Sequence, residues 1–449
     1  MSDFVELNGY KVKDVKAREM LYVNGTTEPI YITPQMFGAV GDGVSDDTNA
    51  IEGMITFITE KVPTREYKNE VSCKDFSRVK INFCGSYKVS RPIVFNNTYG
   101  LIIEGLNLIA GSGFTGSSLL AFKNVTRNLR VINMSLNGSY NVDTCLHIED
   151  YTLNTDFINV EISHFKKYGF YAIDKGHELK IVNMKINQCE WGELSDLTVN
   201  VTEGTGFYLD TERYDNNITQ LIVNYCKTRA LHIKGGSNTF LNCHFYGGYI
   251  DNAGHYNFYQ NCYFDCVPIK TVGFFQLNNC MFIKDQESNP FIYLTETDPS
   301  YDWRYSTSAI NGCVFKSTDN HYVNTPIDLG VFSTLPRMNT IGNTFYYSAP
   351  FNTLSDGSAP NPWMLSRGTP YGNTESGHYE CPEFKCAWGT TSTDQFCYYG
   401  ITITEIWYVG CTRLDNNSQY IPFPGDISST RFWLNNTSGG TVKWFVIGR

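Results

Sequence analysis

Three stretches concentrate the side chains that do chemistry. Residues 191–217, WGELSDLTVNVTEGTGFYLDTERYDNN, carry Glu193, Asp196, Glu203, Asp210, Glu212 and Asp215. Residues 287–308, ESNPFIYLTETDPSYDWRYSTS, set Glu296, Asp298 and Asp302 beside Tyr301, Trp303, Arg304 and Tyr305. Residues 317–330 hold Asp319, His321 and Asp328. Glycoside hydrolysis needs two carboxyl groups, one protonated to release the leaving oxygen and one ionised. Crowded acids separate their pKa values by mutual repulsion and burial. Glu212, Asp215, Glu296 and Asp298 are therefore the candidate acid and nucleophile or base, with the order left open. Tyr301, Trp303, Arg304 and Tyr305 are the candidate sugar-binding run, because pyranose C–H faces stack on aromatic rings.

A lyase needs a base beside a uronic carboxylate and a cation to hold that carboxylate. SHFKKYG offers His164, Lys166, Lys167 and Tyr168 for this. No G-x-S-x-G elbow supports an esterase. No metal or cofactor is expected: Cys381, Cys386, Cys397 and Cys411 lack the paired short spacings of a zinc site.

These side chains need a scaffold, and the central chain supplies a periodic one. LNCHF, QNCYF and NNCMF place Cys243, Cys262 and Cys280 19 and 18 residues apart, and GCVF adds Cys313. Cys189 and Cys226 extend the series upstream, and Asn343 with Phe345 extends it downstream. Residues two apart on a strand share a face, so Cys and Phe point together. A unit this short cannot bury its own face, and stacked units can. Asn before Cys tolerates left-handed backbone and can form an amide ladder. The expected fold is a parallel β-solenoid with the chemistry on its loops; regular spacing disfavours an ordinary β-sandwich.

FGAVGDGVSDDTNAI, residues 37–51, opens this region. Asp42, Asp46 and Asp47 would repel a phosphate. Gly53 stands where an EF-hand needs its bidentate Glu. Asp46 or Asp47 instead suits a helix N-terminus, with Ile51, Met54, Ile55 and Ile58 at helical spacing. The stretch closely resembles the opening motif of the pectate-lyase-like right-handed β-helix proteins. Many of these are phage tailspikes and tail fibres that bind or cut surface polysaccharides. The resemblance spans about residues 34–346 and implies a right-handed coil, a capping helix at this motif and a homotrimer. LNGYKVKDVKARE, residues 7–19, is similar to the start of many phage tail and baseplate proteins. That implies a virion-attachment role for residues 1–33.

After Phe345, residues 348–377 read as a connector rich in Ser, Gly, Pro and Asn. Residues 378–449 read as a small antiparallel β-sandwich, with a hairpin at SGG between Phe432–Leu434 and Val442–Val446. The coil is expected over 34–347. Outward residues between Cys and the next aromatic run Glu190, His244, Tyr263, Met281 and Val314, from charged to apolar, which suits a covered trimer face. A net charge of −10 argues against nucleic acid and anionic membrane surfaces as partners. No run of about 18 apolar residues spans a membrane. The start lacks a signal-peptide core, so production in the host cytoplasm, release by lysis and 14 reduced cysteines are expected. The leading expectation is a virion spike that recognises and degrades a bacterial surface glycan, as a hydrolase before a lyase. A non-catalytic adhesin of the same fold is the alternative.

Overall fold

Strict alternation of apolar and polar residues makes half-buried strands, and this chain folds as a long series of them. In the computed structural model the described residues are 4–7, 10–13 and 30–346, with the following gaps. The gaps are 67–71, 150–151, 174, 190–203, 211–212, 273–274, 285–289, 295–306, 318–326, 329–336 and 342. Seven C-terminal strands lie between 376 and 448. The chain divides into two compact units, Met1–Gly273 and Phe274–Arg449.

In the first unit the chain winds as a parallel β-helix. Strands from successive turns pair in parallel, each turn adding strands to three stacked columns, as Thr239–Leu241, His244–Tyr246 and Tyr249–Asn252 do. One inward column reads Ile103, Val131, Phe157, Ile181, Ile218, Phe240 and Tyr259. A second reads Leu108, Leu136, Ile162, Ile186, Val223, Phe245 and Phe264. All fourteen side chains are sealed from solvent. Like residues on neighbouring turns stack ring on ring: Phe170 on Phe207 at 4.4 Å and Phe240 on Tyr259 at 5.0 Å. The first strand of the coil is Ile30–Ile32, parallel to Val79–Asn82. Phe4–Leu7 and Tyr10–Lys13 form a separate antiparallel pair.

The corners explain the Asn-Cys pattern. Asn133, Asn159, Asn183, Gln220, Asn242 and Asn261 all have φ between 50° and 57°. They turn the chain between strands, and asparagine amides hydrogen-bond along the axis: Asn159 to Asn133, Asn183 to Asn159, and Asn261 Nδ2–H to Asn242 Oδ1 at 3.3 Å. Cys243 and Cys262 follow their Asn directly and point inward, with their thiols donating to carbonyls of the corner. The upstream thiols belong to another column. Asn187 pairs with Asn224, which puts Cys189 against Cys226 at the following corner. The position under Cys243 is held instead by Leu221, Met184, Val160 and Met134. Sequence spacing merged the two columns because the 17 residues from Cys226 to Cys243 imitate the 18- and 19-residue spacings downstream, whereas the register partner of Cys243 is Leu221. The ten described cysteines are free thiols.

The helix Thr48–Lys61 buries Ile51, Met54 and Ile58 as its periodicity requires. The carboxylates before it share the work in an order opposite to simple capping. Asp46 accepts the Thr48 N–H at 3.0 Å. Asp47, at the formal cap, turns away and accepts the N–H groups of Val40 (2.6 Å) and Gly41 (3.0 Å). That clamp folds the glycine loop onto the helix. Gly41 needs its positive φ of 73° there, which only glycine adopts without strain.

In the second unit, Gln276–Asn278 pairs in parallel with Ala309–Asn311, and Met281–Lys284 with Val314–Ser317. Phe282 stacks on Phe315 at 4.8 Å. Gly312, with φ 63°, takes the corner place before Cys313. The C-terminal strands form one four-stranded and one three-stranded antiparallel sheet. The expected hairpin is absent. Val442–Gly448 lies between Lys385–Thr391 and Ile406–Arg413. Arg431–Asn435 lies between Gln395–Tyr398 and Phe423–Gly425. Both edges of each strand are taken, so the two cannot pair with one another.

Candidate functional site

One outward sheet face of the first unit carries aromatic and ionisable side chains in columns. Its strands are Thr144–Ile148, Tyr168–Ala172, Thr205–Leu209, Arg229–Ile233, Tyr249–Asn252 and Ile269–Thr271. The pairing register aligns His147, Tyr171, Tyr208, His232, Asp251 and Lys270 in one outward row. A second row aligns Tyr168, Thr205, Arg229 and Tyr249.

Both rows fall on the outward side because the strands carry a bulge, although Thr205 of the second row is itself fully buried. Residues three apart normally lie on opposite faces. Here Gly169 and Phe170 are both buried, so Tyr168 and Tyr171 emerge on the same side. Their rings stack at 4.3 Å and 23°. Small residues make this possible: a Cβ on Gly206 would stand 2.3 Å from Val223. The aromatic surface continues as Tyr171 to Tyr208 at 4.8 Å and Tyr208 to His232 at 4.4 Å.

Above the rings lies an ionic network. His232 Nδ1 and Asp251 Oδ2 are 2.8 Å apart. An ionised carboxylate can only accept, so the ring donates from Nδ1 and, when neutral, carries its lone pair on Nε2. Nε2 is buried without a hydrogen bond. Arg229 Nε lies 3.5 Å from Asp251 and donates to the Tyr249 hydroxyl at 3.0 Å. The Lys270 ammonium sits 4.2 Å from the Tyr249 ring centroid. Burial pushes the Asp251 carboxyl up, but the His232 hydrogen bond and the charges of His232, Arg229 and Lys270 outweigh it, so its pKa is lowered. Burial, followed by the charge of Asp210, raises the Tyr208 phenol; Arg229 opposes this and Asp251 adds to it. Tyr208 thus stays protonated between two carboxylates, Asp210 and Asp251. Lys234 lies 4.0 Å from Asp210, and Lys167 pairs with Asp143 at 2.9 Å on the near edge. The face can stack a sugar ring, hold an ionised carboxylate beside it and present a second carboxyl along the strand.

Of the residues expected from sequence, Asp215 is described. It is exposed, at a left-handed turn with φ 57°, and its N–H donates to Gly236 O at 3.4 Å. Glu212, Glu296, Asp298, Tyr301, Trp303, Arg304 and Tyr305 lie outside the described residues. The lyase set is divided: His164 stands at a left-handed corner, edge-on to Tyr140, while Tyr168 joins the aromatic platform. Sequence reading missed Tyr171, Tyr208, Arg229, His232 and Asp251. The repeated Gly-Phe-Tyr of residues 169–171 and 206–208 was the signal that could have found them. No group of three or more metal-ligating side chains occurs among the described residues.

No protein-family model matches the chain. A 42-residue stretch, 9% of the chain, is 50% identical to a capsule K30/K69-specific depolymerase of Klebsiella phage K64-1. That stretch spans 6% of the relative's length. Among solved structures, ORF18 of Geobacillus virus E2 superposes with a TM-score of 0.54 at 17% identity. The match covers 87% of this chain and 77% of that one. The two share a fold. The Dettilon tailspike protein gp208 gives a TM-score of 0.47 at 11% identity, over 93% of this chain and 94% of the other. The parallel β-helix expected from the motif at residues 37–51 is the fold observed. Among the described residues no helix is long and apolar enough to cross a membrane.

Proposed function

We propose that this chain is a phage tail protein that binds a bacterial surface polysaccharide and cleaves it by glycoside hydrolysis. The observation that carries the reading is the outward aromatic platform of Tyr168, Tyr171 and Tyr208 with Asp251 held ionised at its end. Stacking fixes the sugar plane, and a fixed carboxylate beside it supplies the base or nucleophile. The proton donor is drawn from Asp210, Glu212 and Asp215, which follow one another where the chain leaves Thr205–Leu209. Glu296 and Asp298 form a second candidate pair on their own loop. Tyr301, Trp303, Arg304 and Tyr305 supply that loop with rings and a cation for sugar. The local match to a capsule-specific depolymerase agrees with a capsular or wall glycan as substrate.

In this reading residues 1–33 attach the chain to other tail or baseplate proteins of the virion. The chain assembles as a homotrimer, is made in the host cytoplasm and leaves by lysis. In the first unit the outward row that contains Glu161 and Lys185 continues as Ile222, His244 and Tyr263, charged first and apolar later. In the second unit Met281 pairs with Val314, and Met281 is exposed. These apolar segments are the trimer contacts. Purified protein spotted on a host lawn tests the enzymatic reading. A halo, a falling polymer size and new reducing ends without unsaturated uronate absorbance are expected. Unsaturated products would make it a lyase, and binding with unchanged polymer size would make it an adhesin.

A further inference from the structure

A groove of about 570 Å³ opens on a different face of the first unit, at the corner that carries the outward amides. Its floor is apolar: Met134 and Val160 are each 2% exposed. Asn133, Asn159 and Asn183 line it on three successive turns. Asn159 Nδ2–H donates to Asn133 Oδ1 at 3.1 Å, and Asn183 Nδ2–H donates to Asn159 Oδ1 at 3.0 Å. A primary amide has two N–H donors and two lone pairs. The ladder uses one donor per link, so hydrogen-bonding capacity remains on each amide. The ladder stops at Gly105, whose φ is 73° and where a Cβ would meet Phe83 O at 2.5 Å. No side chain fits there, so the amide ladder does not continue onto that turn, where Leu106 and Asn107 line the groove. Glu161 and Lys185, 3.8 Å apart, form its rim.

We infer that this groove is a second, non-catalytic saccharide site that holds a hydroxyl-rich glycan chain along the coil axis. The reasoning rests on the proposed polysaccharide ligand and adds where and how a further part of that polymer is held. Neighbouring strands repeat every ~4.8 Å, close to the length of one pyranose residue. Successive sugars of an extended chain therefore meet successive amides in equivalent positions. Vicinal hydroxyls both donate and accept, as an amide does, and pyranose C–H faces rest on the Met134 and Val160 floor. A mixed amide and apolar lining with one compensated ion pair suits an uncharged segment better than a carboxylate-dense one. Glycoside hydrolysis needs two carboxyl groups, and Glu161, paired with Lys185, is the single carboxylate among the groove's described lining residues, so the groove holds and does not cut.

The test is binding to an array of bacterial capsular and wall polysaccharides by full-length wild type and three variants. Ser135→Trp fills the groove, and Glu161→Ala/Lys185→Ala strips its rim without touching the ladder. Asp251→Asn addresses the platform alone. Circular dichroism confirms folding of each. Ser135→Trp is expected to weaken binding at least tenfold to the glycans wild type retains, while its kcat on short cleaved fragments stays within twofold. The rim variant should weaken binding severalfold, and Asp251→Asn should bind as wild type. Unchanged binding by folded Ser135→Trp, or by the rim variant if Ser135→Trp misfolds, overturns the groove. A wild type that binds no glycan overturns it as well. Binding that depends on the groove in a protein that never cleaves leaves the groove standing and removes the enzymatic reading.

Discussion

Replacing Asp251 by Asn is the sharpest perturbation of the platform. The amide keeps the shape and can still accept the His232 Nδ1–H bond of 2.8 Å, but it loses the charge that faces Arg229 at 3.5 Å. A hydrogen bond to a charged group contributes about 1.5–3 kcal/mol. Since a neutral bond remains, the stability loss should sit near the lower figure, about 1.5 kcal/mol. That corresponds to a fall in Tm of a few degrees. The catalytic loss should be much larger. A positioned acid or base contributes about 10²–10⁴ in rate, roughly 3–5 kcal/mol of barrier. At temperatures well below Tm the variant stays folded, so reducing-end release should fall at least a hundredfold in kcat with polymer binding intact.

The pH dependence supplies an independent reading. The Asp251 pKa is lowered in the folded state. Its stabilising contribution is complete above the unfolded carboxylate value of about 3.9 and is lost as pH falls through the lower folded value. The acid limb set by Asp251 should therefore lie below the ordinary carboxylate range, with wild-type kcat/KM undiminished by this group down to about pH 4. Tyr249→Phe is the control. It removes the hydroxyl that accepts from Arg229 at 3.0 Å but leaves the Asp251 charge, and should cost less than tenfold in kcat. The reasoning is refuted if Asp251→Asn retains more than a tenth of wild-type kcat.

Three other outcomes follow from the same structure. Asn238→Ala interrupts a buried ladder in which Asn238 accepts from Asn216 Nδ2–H at 2.7 Å and donates to Asn257 at 2.9 Å. The Asn216 N–H and Nδ2–H both lose their acceptor, while Asn257 Oδ1 keeps the backbone N–H of residue 238; the coil should lose about 2–5 kcal/mol in thermal or denaturant unfolding, and a change below about 1 kcal/mol would remove the ladder's structural role. Tyr263→Glu or Met281→Glu should yield monomer by light scattering, and an intact trimer would count against the apolar contact stripes. Among Glu212→Gln, Asp215→Asn, Glu296→Gln and Asp298→Asn, at least one should lose glycan cleavage a hundredfold or more. Full activity in all four removes Glu212, Asp215, Glu296 and Asp298 as the catalytic acid and base.

The coil was legible because its corners are chemical as well as periodic. Asn242, Asn261 and Asn279 adopt positive φ directly before an inward thiol, and the Asn-Cys-x-Phe words record that geometry. The thiols alone misled, since Cys189 and Cys226 carry the same residue type at another corner. Of Asp46 and Asp47, the two carboxylates suited to the helix start, Asp46 takes the Thr48 N–H, while the Asp47 carboxylate is claimed by Val40 and Gly41. Local propensity cannot see a competing pair of donors six and seven residues back. The C-terminal hairpin failed for a related reason: alternation identifies strands, while their partners are chosen by the whole sheet.

The platform was hidden by the bulge that creates it. Period-two reading assigns Tyr168 and Tyr171, or Arg229 and His232, to opposite faces. Paired inward residues such as Gly169–Phe170 and Ala230–Leu231 bring both onto one face. The bulge then ends: the register shifts between Arg229 and Leu231, and Tyr249 and Asp251 are two apart where Arg229 and His232 are three apart. One strand without the extra residue thereby sets Asp251 opposite His232 and Tyr249 opposite Arg229. The carboxylate meets a ring nitrogen and a guanidinium at once, which neither strand's sequence announces. Two rows of outward side chains give a sugar ring width to stack on, and the change of register at their end supplies the ionised group beside it. The chemistry of this face is thus a property of inter-strand register. It becomes readable from sequence only when Gly-Phe-Tyr at 169–171 and 206–208 is recognised as one position visited twice by the coil.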